Sequence, residues 1–79
     1  MRLIILSPEK TVLDREVSAV ELPGAKGRFV VLKNHAPLLS SLEKGFIGYD
    51  IEGEDKRITI DIKGGFAAIK NNTITVCVE

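Results

Sequence analysis

The sequence is poor in the residues on which most small-protein chemistry depends. Its 79 residues include one cysteine, one histidine, one tyrosine, three phenylalanines and no tryptophan. A single Cys77 cannot form an internal disulfide, and a lone His35 cannot supply the three or four ligands of a zinc site. The chain also lacks a nucleophile elbow and a phosphate loop followed by a helix. The sequence therefore predicts a protein with no catalytic, metal or cofactor site.

Net charge is absent as well. Eleven basic residues balance eleven acidic ones, and aromatic residues make up 5% of the chain. Nucleic-acid-binding domains carry basic surfaces with exposed aromatic side chains, so no nucleic-acid partner is expected. The apolar run Leu3–Leu6 is followed at once by Ser7 and Pro8, and it is too short for a signal peptide or a membrane span. The totals predict one globular domain over residues 1–79, which reaches a membrane only through partner proteins.

No stretch shows the 3.6-residue apolar period of a helix. Short segments rich in β-branched residues recur instead, separated by turn residues. In Arg57–Lys63 the residues Ile58, Ile60 and Ile62 alternate with polar ones, which predicts a half-buried strand. Asn71-Asn72 predicts a hairpin turn, because asparagine tolerates positive φ. The pattern predicts an all-β protein, an antiparallel two-sheet β-sandwich (a flattened barrel) of about eight to ten short strands.

Two strands have less regular patterns. Phe29–Leu32 is a continuous apolar run, which predicts a strand buried on both faces. Within Glu16–Leu22 the apolar residues change parity, which predicts a β-bulge near Ala19. The dipeptide Lys33-Asn34 predicts a turn before His35, with Asn34 at positive φ.

A family resemblance starts from residues 22–39, the most constrained part of the chain. This part contains Leu22-Pro23-Gly24-Ala25, then Gly27, an apolar strand, and His35-Ala36-Pro37-Leu38-Leu39. Further pieces agree in order and spacing: Leu6-Ser7-Pro8-Glu9-Lys10, Lys44-Gly45, Gly64-Gly65-Phe66 and Thr73-Ile74-Thr75-Val76. Over essentially its whole length the chain resembles the N-terminal β-sandwich domain of the epsilon subunit of F-type ATP synthases.

The resemblance implies a non-catalytic rotor subunit in the central stalk of a proton-translocating ATP synthase. Its partners would be the gamma subunit, the c-ring and the rest of the complex, and it would couple proton-driven rotation to ATP synthesis. Its location would be peripheral, at the cytoplasmic face of the bacterial inner membrane. The resemblance assigns to the gamma-subunit interface Ser7, His35, Ala36, Pro37, Leu39 and Ser40. It assigns to a c-ring-facing loop Lys26, Gly27 and Arg28.

The chain departs from the family at a few positions. Arg28 stands where the family usually has an acidic residue, and Val30 stands where it has a glycine. With Lys26 nearby, the loop is basic, so it would require a neutral or acidic surface on the ring. Family members commonly continue into two regulatory helices, whereas this sequence stops at Glu79. The inhibitory and nucleotide-binding functions of those helices are therefore not expected here, and the chain is either a naturally short subunit or an excised domain.

Two other classes of function remain as alternatives. A free-standing β-domain of the OB type would bind single-stranded nucleic acid in a salt-sensitive way, which a titration at low salt would detect. A small enzyme would have a pocket of convergent polar groups around His35, and its turnover would be lost in a His35→Ala variant.

Overall fold

The computed structural model describes all 79 residues. It contains nine β-strands joined by turns and loops, and no helix. The strands are β1 (Arg2–Leu6), β2 (Thr11–Glu16), β3 (Ala19–Gly24), β4 (Gly27–Leu32), β5 (Leu38–Leu42), β6 (Gly45–Asp50), β7 (Arg57–Ile62), β8 (Gly65–Lys70) and β9 (Thr73–Val78). The predicted all-β fold with eight to ten short strands is confirmed. With no helix present, the chain has none long and apolar enough to cross a membrane.

The strands form one continuous sheet that curls back on itself. Its order is β2-β1-β9-β8-β5-β3-β6-β7, and β4 pairs with the other edge of β3. A single bridge, between Gly24 and Leu42, joins β3 to β5, so the sheet turns a corner there. We call β2, β1, β9, β8 and β5 the long layer, and β4, β3, β6 and β7 the short layer. All strand pairs are antiparallel except β1 with β9, which is parallel and departs from the purely antiparallel expectation.

The core lies between the two layers and is entirely apolar. The long layer contributes Leu3 and Ile74, and the short layer contributes Leu22, Val31 and Ile47, all fully buried. No polar or charged side chain is buried with them. Burying an aliphatic side chain of this size stabilises the fold by roughly 1.5–3 kcal/mol. The strict alternation predicted for β7 is confirmed, because its isoleucines face this core while its threonine and aspartate are exposed.

The prediction that Phe29–Leu32 is buried on both faces is wrong. Phe29 and Val31 face the core, whereas Val30 is 49% exposed and Leu32 is 58% exposed. The reason is that the long layer covers only the inner face of β4, and nothing covers its outer face. The apolar run therefore places hydrophobic side chains on the surface.

The predicted bulge near Ala19 is also wrong. The chain bends at Val17 and Ser18, and β3 begins only at Ala19, so the change of parity reflects a break between two strands. The one register shift in the sheet lies between β1 and β2, where Ile5 pairs with Leu13 and Leu6 with Thr11, so Val12 is the extra residue.

Candidate functional site

The loop between β4 and β5 presents His35, Ala36 and Pro37 to solvent. All three residues are exposed. Asn34 has φ of 63°, which confirms the predicted positive φ. The Nδ1 atom of His35 lies 2.7 Å from the carbonyl oxygen of Ala36, so this ring nitrogen is occupied by a local contact. The geometry makes His35 a surface residue that helps to shape its own loop.

A long-range hydrogen bond from the backbone helps to fix this loop to the rest of the fold. The backbone N–H of Asn34 donates to Oδ1 of Asn72 over 2.9 Å. Asn71 and Asn72 form the β8–β9 turn with φ of 52° and 59°, which confirms the hairpin turn predicted there. The same turn therefore closes a hairpin and holds the loop that carries His35.

Replacing Asn72 with glycine is expected to loosen this loop. Glycine keeps the positive φ but removes the acceptor for Asn34, which should cost about 1 kcal/mol of unfolding free energy. The amide of Asn34 should then exchange faster with solvent in NMR experiments. Asn71→Gly is the matched control, because the Asn71 side chain makes no hydrogen bond in the structure. Equal effects of the two substitutions would contradict the assigned role of the Asn72 side chain.

The structure places Leu39 and Ser40 on opposite faces of β5. Leu39 points outward and is 68% exposed, the largest value among the large hydrophobic residues. Ser40 is half-buried, and its hydroxyl donates to the carbonyl oxygen of Ser41. The two residues therefore cannot contact a partner through the same surface of the strand.

Ser7 lies apart from the other residues predicted to face the gamma subunit. It follows β1 and closes a tight turn, in which its N–H donates to the Lys10 carbonyl oxygen over 2.9 Å. Strands β9 and β8 separate β1 from β5. At about 4.8 Å between neighbouring strands, Ser7 is about 14 Å from β5 along the sheet. A single surface that includes Ser7 and Leu39 must cross the outer face of the long layer.

Part of that outer face is apolar. Leu39 pairs with Ala68, Ala68 with Thr75, and Thr75 with Ile4, so one outward row runs across β5, β8, β9 and β1. Phe66 lies beside this row and is 47% exposed. We call Leu39, Phe66, Ala68, Thr75 and Ile4 the apolar outer face. An exposed apolar patch rimmed by polar residues is typical of a protein-binding surface.

Sequence reasoning assigned only Leu39 of the apolar outer face. The alternation in β8 places Phe66 and Ala68 together and opposite to Ala67 and Ile69, which are buried. The alternation therefore shows that Phe66 and Ala68 share one face of β8. It does not show which face is buried, because the exposed face carries a phenylalanine and the buried face carries an alanine.

The residues predicted to face the c-ring lie on and beside the β3–β4 hairpin. Gly24 pairs with Gly27, so Ala25 and Lys26 form a two-residue loop. Gly27 has φ of 125°, a backbone conformation that favours glycine. Lys26 is exposed at the tip and makes no hydrogen bond or ion pair in the structure. The tip therefore presents one free positive charge.

Arg28 is held away from the tip. Its Nε donates to Glu21 over 2.7 Å, and its Nη2 donates to the carbonyl oxygen of Phe46 over 2.8 Å. The guanidinium carbon also lies 3.8 Å from the centre of the Phe46 ring, within the range of a cation–π contact. The structure therefore separates Arg28 from Lys26 and Gly27, because the arginine is engaged with the outer face of the short layer.

A charge network extends from Arg28 across the short layer. Arg57 donates to both carboxylate oxygens of Asp50 over 2.8 Å and to Glu21 over 2.8 Å. A Cβ at Gly48 would come within 2.9 Å of the Arg57 side chain, so this glycine makes room for it. The hydrogen bond from Arg57 lowers the pKa of Asp50, and the hydrogen bond from Arg28 is the main cause of the lowered pKa of Glu21.

This network makes stability depend on acidity. A carboxylate with a lowered folded-state pKa stabilises the fold above its unfolded pKa, about 3.9 for Asp and 4.3 for Glu, and this contribution is lost as the pH falls through the folded pKa. We expect the unfolding free energy to fall below about pH 4.5. Arg57→Gln should lower stability at neutral pH and flatten the dependence between about pH 3 and 5, measured by urea denaturation. An unchanged slope would show that the network is not responsible.

No arrangement with the chemistry of an active site or metal centre surrounds His35. The chain contains no group of three His, Cys, Asp or Glu residues close enough to hold a metal ion. The largest groove, about 590 Å³, lies between residues 24–29 and residues 38–41, and it contains no acidic side chain or histidine. The surface features that could contact a partner are the apolar outer face, the His35 loop and the charged hairpin tip.

Comparison with known proteins decides the family. The model of the ATP synthase delta/epsilon chain, β-sandwich domain, matches residues 1–79. The chain belongs to this delta/epsilon family. The resemblance of the sequence to the epsilon-subunit β-sandwich domain is therefore confirmed.

Relatives and solved structures agree with this membership. The delta/epsilon domain described here is 40% identical to the ATP synthase epsilon chain of Desulfitobacterium hafniense over 95% of its own length, and 40% identical to that of Synechococcus sp. over all of it. It spans 55% and 56% of the length of those two relatives. Its fold matches a chain in the central stalk and c-ring structure of the Tetrahymena thermophila mitochondrial ATP synthase, with a TM-score of 0.82 at 19% identity, covering 99% of this chain and 62% of the other. The match to a chain of the Euglena gracilis mitochondrial enzyme has a TM-score of 0.88 at 24% identity, covering 96% and 48%.

Proposed function

We propose that this delta/epsilon domain is a non-catalytic coupling element of the central stalk of a proton-translocating ATP synthase. It binds the gamma subunit and the c-ring at the cytoplasmic face of a bacterial inner membrane, and it is held there by the complex. Membership of the delta/epsilon family and the names of the relatives support the proposal.

The observation that carries this proposal is the apolar outer face of the long layer. Leu39 and Phe66 expose large side chains on it, although the core is otherwise well closed. The His35 loop lies at one end of β5, and the Ser7 turn lies beyond β1. The proposed gamma-binding surface therefore includes the assigned positions Ser7, His35, Ala36, Pro37 and Leu39 and the newly located Phe66. Ser40 belongs to the groove behind β5 rather than to this surface.

The proposed contact with the c-ring is made by the hairpin tip. Lys26 supplies the free charge and Gly27 supplies the tight turn. Arg28 contributes indirectly, because its bonds to Glu21 and Phe46 fix the strand that leaves the tip. A single lysine at the tip favours a ring surface of neutral or acidic character.

The architecture suits the transmission of force. Each strand is hydrogen-bonded to at least one neighbour along five or six residues, and the apolar core fills the space between the layers. Closely packed interiors have low compressibility and transmit strain. Residues 1–79 form no helix, so inhibition through helices is not a property of this domain by itself.

The experiment that tests the proposal is a titration of the isotope-labelled domain with purified gamma subunit, followed by NMR. We expect saturable binding, with shifts and slower amide exchange at residues 35–39 and at Phe66. Single-stranded DNA at low salt serves as the negative control and should leave these signals unchanged. Absence of binding to the gamma subunit, or binding that leaves both His35 and Phe66 exposed, would contradict the proposal.

A further inference from the structure

Strand β4 has a free edge of unpaired backbone groups. At Pro23 the carbonyl oxygen accepts from the N–H of Glu43, so the β3 backbone points away from β4 there. Residues of an antiparallel pair alternate between bonded and non-bonded positions. Arg28, which lies opposite Pro23, therefore directs its N–H and C=O groups away from β3, and Val30 and Leu32 do the same. No hydrogen bond in the structure satisfies these groups with another strand.

This edge has less protection than the other two terminal strands. Strand β2 carries Asp14, Arg15 and Glu16, and β7 carries Arg57 and Asp61. Strand β4 carries a single charge, Arg28, which is paired within its own chain, and the rest of the strand has no charge, proline or bulge and exposes two large aliphatic side chains. Natural sheets usually protect their edges with charges, prolines or bulges, and an unprotected edge is a template for strand pairing.

We propose that β4 pairs with β4 of a second copy of this chain, antiparallel about a two-fold axis at Val30. In that register the N–H and C=O groups of Arg28, Val30 and Leu32 meet those of the second copy, which completes six backbone hydrogen bonds. The two short layers then form one continuous eight-stranded sheet. The pairing is an isologous contact of the kind that closes a dimer.

The side chains favour a second copy as the occupant. The two-fold places Val30 opposite Val30, and it places Arg28 opposite Leu32 of the second copy, so no like charges face each other directly. Arg28 is also neutralised within its own chain by Glu21, at 2.7 Å. Leu32 gains an apolar neighbour in the aliphatic stem of the arginine. The edge is thus complementary to itself in hydrogen bonds and charge, independently of the proposed function.

Sedimentation velocity of the 79-residue chain over a range of concentrations tests the proposal. We expect the apparent mass to rise with concentration from that of an 8.6 kDa monomer to twice that value. Val30→Lys sets two lysines against each other at the two-fold, and it should keep the chain monomeric at every concentration. Val12→Lys, at a similarly exposed valine on β2, is the matched control and should leave the dimer unchanged. Thermal unfolding of both variants verifies that they fold.

Amide exchange gives a second measurement. At high concentration the amides of Arg28, Val30 and Leu32 should exchange at least tenfold more slowly than at low concentration, and the amides of β2 and β7 should not change. A chain that stays monomeric throughout would overturn the proposal, and so would a dimer that Val12→Lys dissolves and Val30→Lys preserves. Protection of the β4 amides by the gamma subunit in a chain that forms no dimer would overturn it too, since the edge would then belong to a different protein.

Discussion

Gly65→Ala is expected to destabilise the domain by about 4 kcal/mol, at the upper end of the range for single substitutions. Gly65 has φ of 154°, and an added Cβ would lie 2.1 Å from the carbonyl oxygen of Cys77 and 3.1 Å from Cα of Val78. These are backbone atoms of the paired strand β9, so they cannot move aside as a side chain would. Because a domain of this size has a total stability of roughly 4–12 kcal/mol, the variant should be largely unfolded in moderate urea.

Gly53→Ala separates the two causes of this loss. Gly53 also has a positive φ, of 84°, but nothing lies within 4 Å of an added Cβ. Gly53→Ala should therefore lower the unfolding free energy by only about 1 kcal/mol, because only the backbone conformation disfavours alanine there. Urea denaturation followed by circular dichroism measures both variants. If they proved equally stable, the close approach of β8 to β9 at Gly65 could not be the reason that glycine is needed there.

Leu39→Glu is expected to weaken binding to the gamma subunit by on the order of 100-fold, the cost of losing a large apolar anchor. Leu39 projects from the β5 end of the apolar outer face and contributes little to the core, so the substitution should leave stability nearly unchanged. Titration calorimetry with the wild-type and variant domains gives the ratio of dissociation constants.

Thr59→Glu is the control for this experiment. It adds the same charge at an exposed position on β7, in the other layer. Its affinity for the gamma subunit should match that of the wild type. Equal losses of affinity in both variants would mean that net charge governs binding. If Leu39→Glu bound with full affinity, the apolar outer face would not be part of the interface.

The sequence was sufficient for features that depend on local chemistry. The alternation of Ile58, Ile60 and Ile62 predicted which face of β7 is buried, and the structure confirms it. Asn34, Asn71 and Asn72 were predicted to have positive φ, and they do. These predictions succeed because backbone sterics and side-chain period act within a few residues.

Features that depend on the position of a strand in the sheet could not be predicted. The run Phe29–Leu32 resembles a fully buried strand, yet Val30 and Leu32 are exposed because no further layer covers the outer face of β4. The exposure of Phe66 on β8 has the same cause and could not be predicted either. Arg28 was assigned to a loop contact by family resemblance, but Glu21 and Phe46, which engage it, are brought there only by the pairing of β3 with β4 and β6.

The parallel pairing of β1 with β9 has a mechanical consequence. Arg2 lies beside Thr73, and Leu6 lies beside Cys77, so the first and last strands run in the same direction, side by side. Tension applied between the first and last residues would drag these two strands past each other lengthwise. The backbone hydrogen bonds between β1 and β9 would then bear the load together. In a hairpin pulled at its open end, by contrast, the hydrogen bonds break one after another.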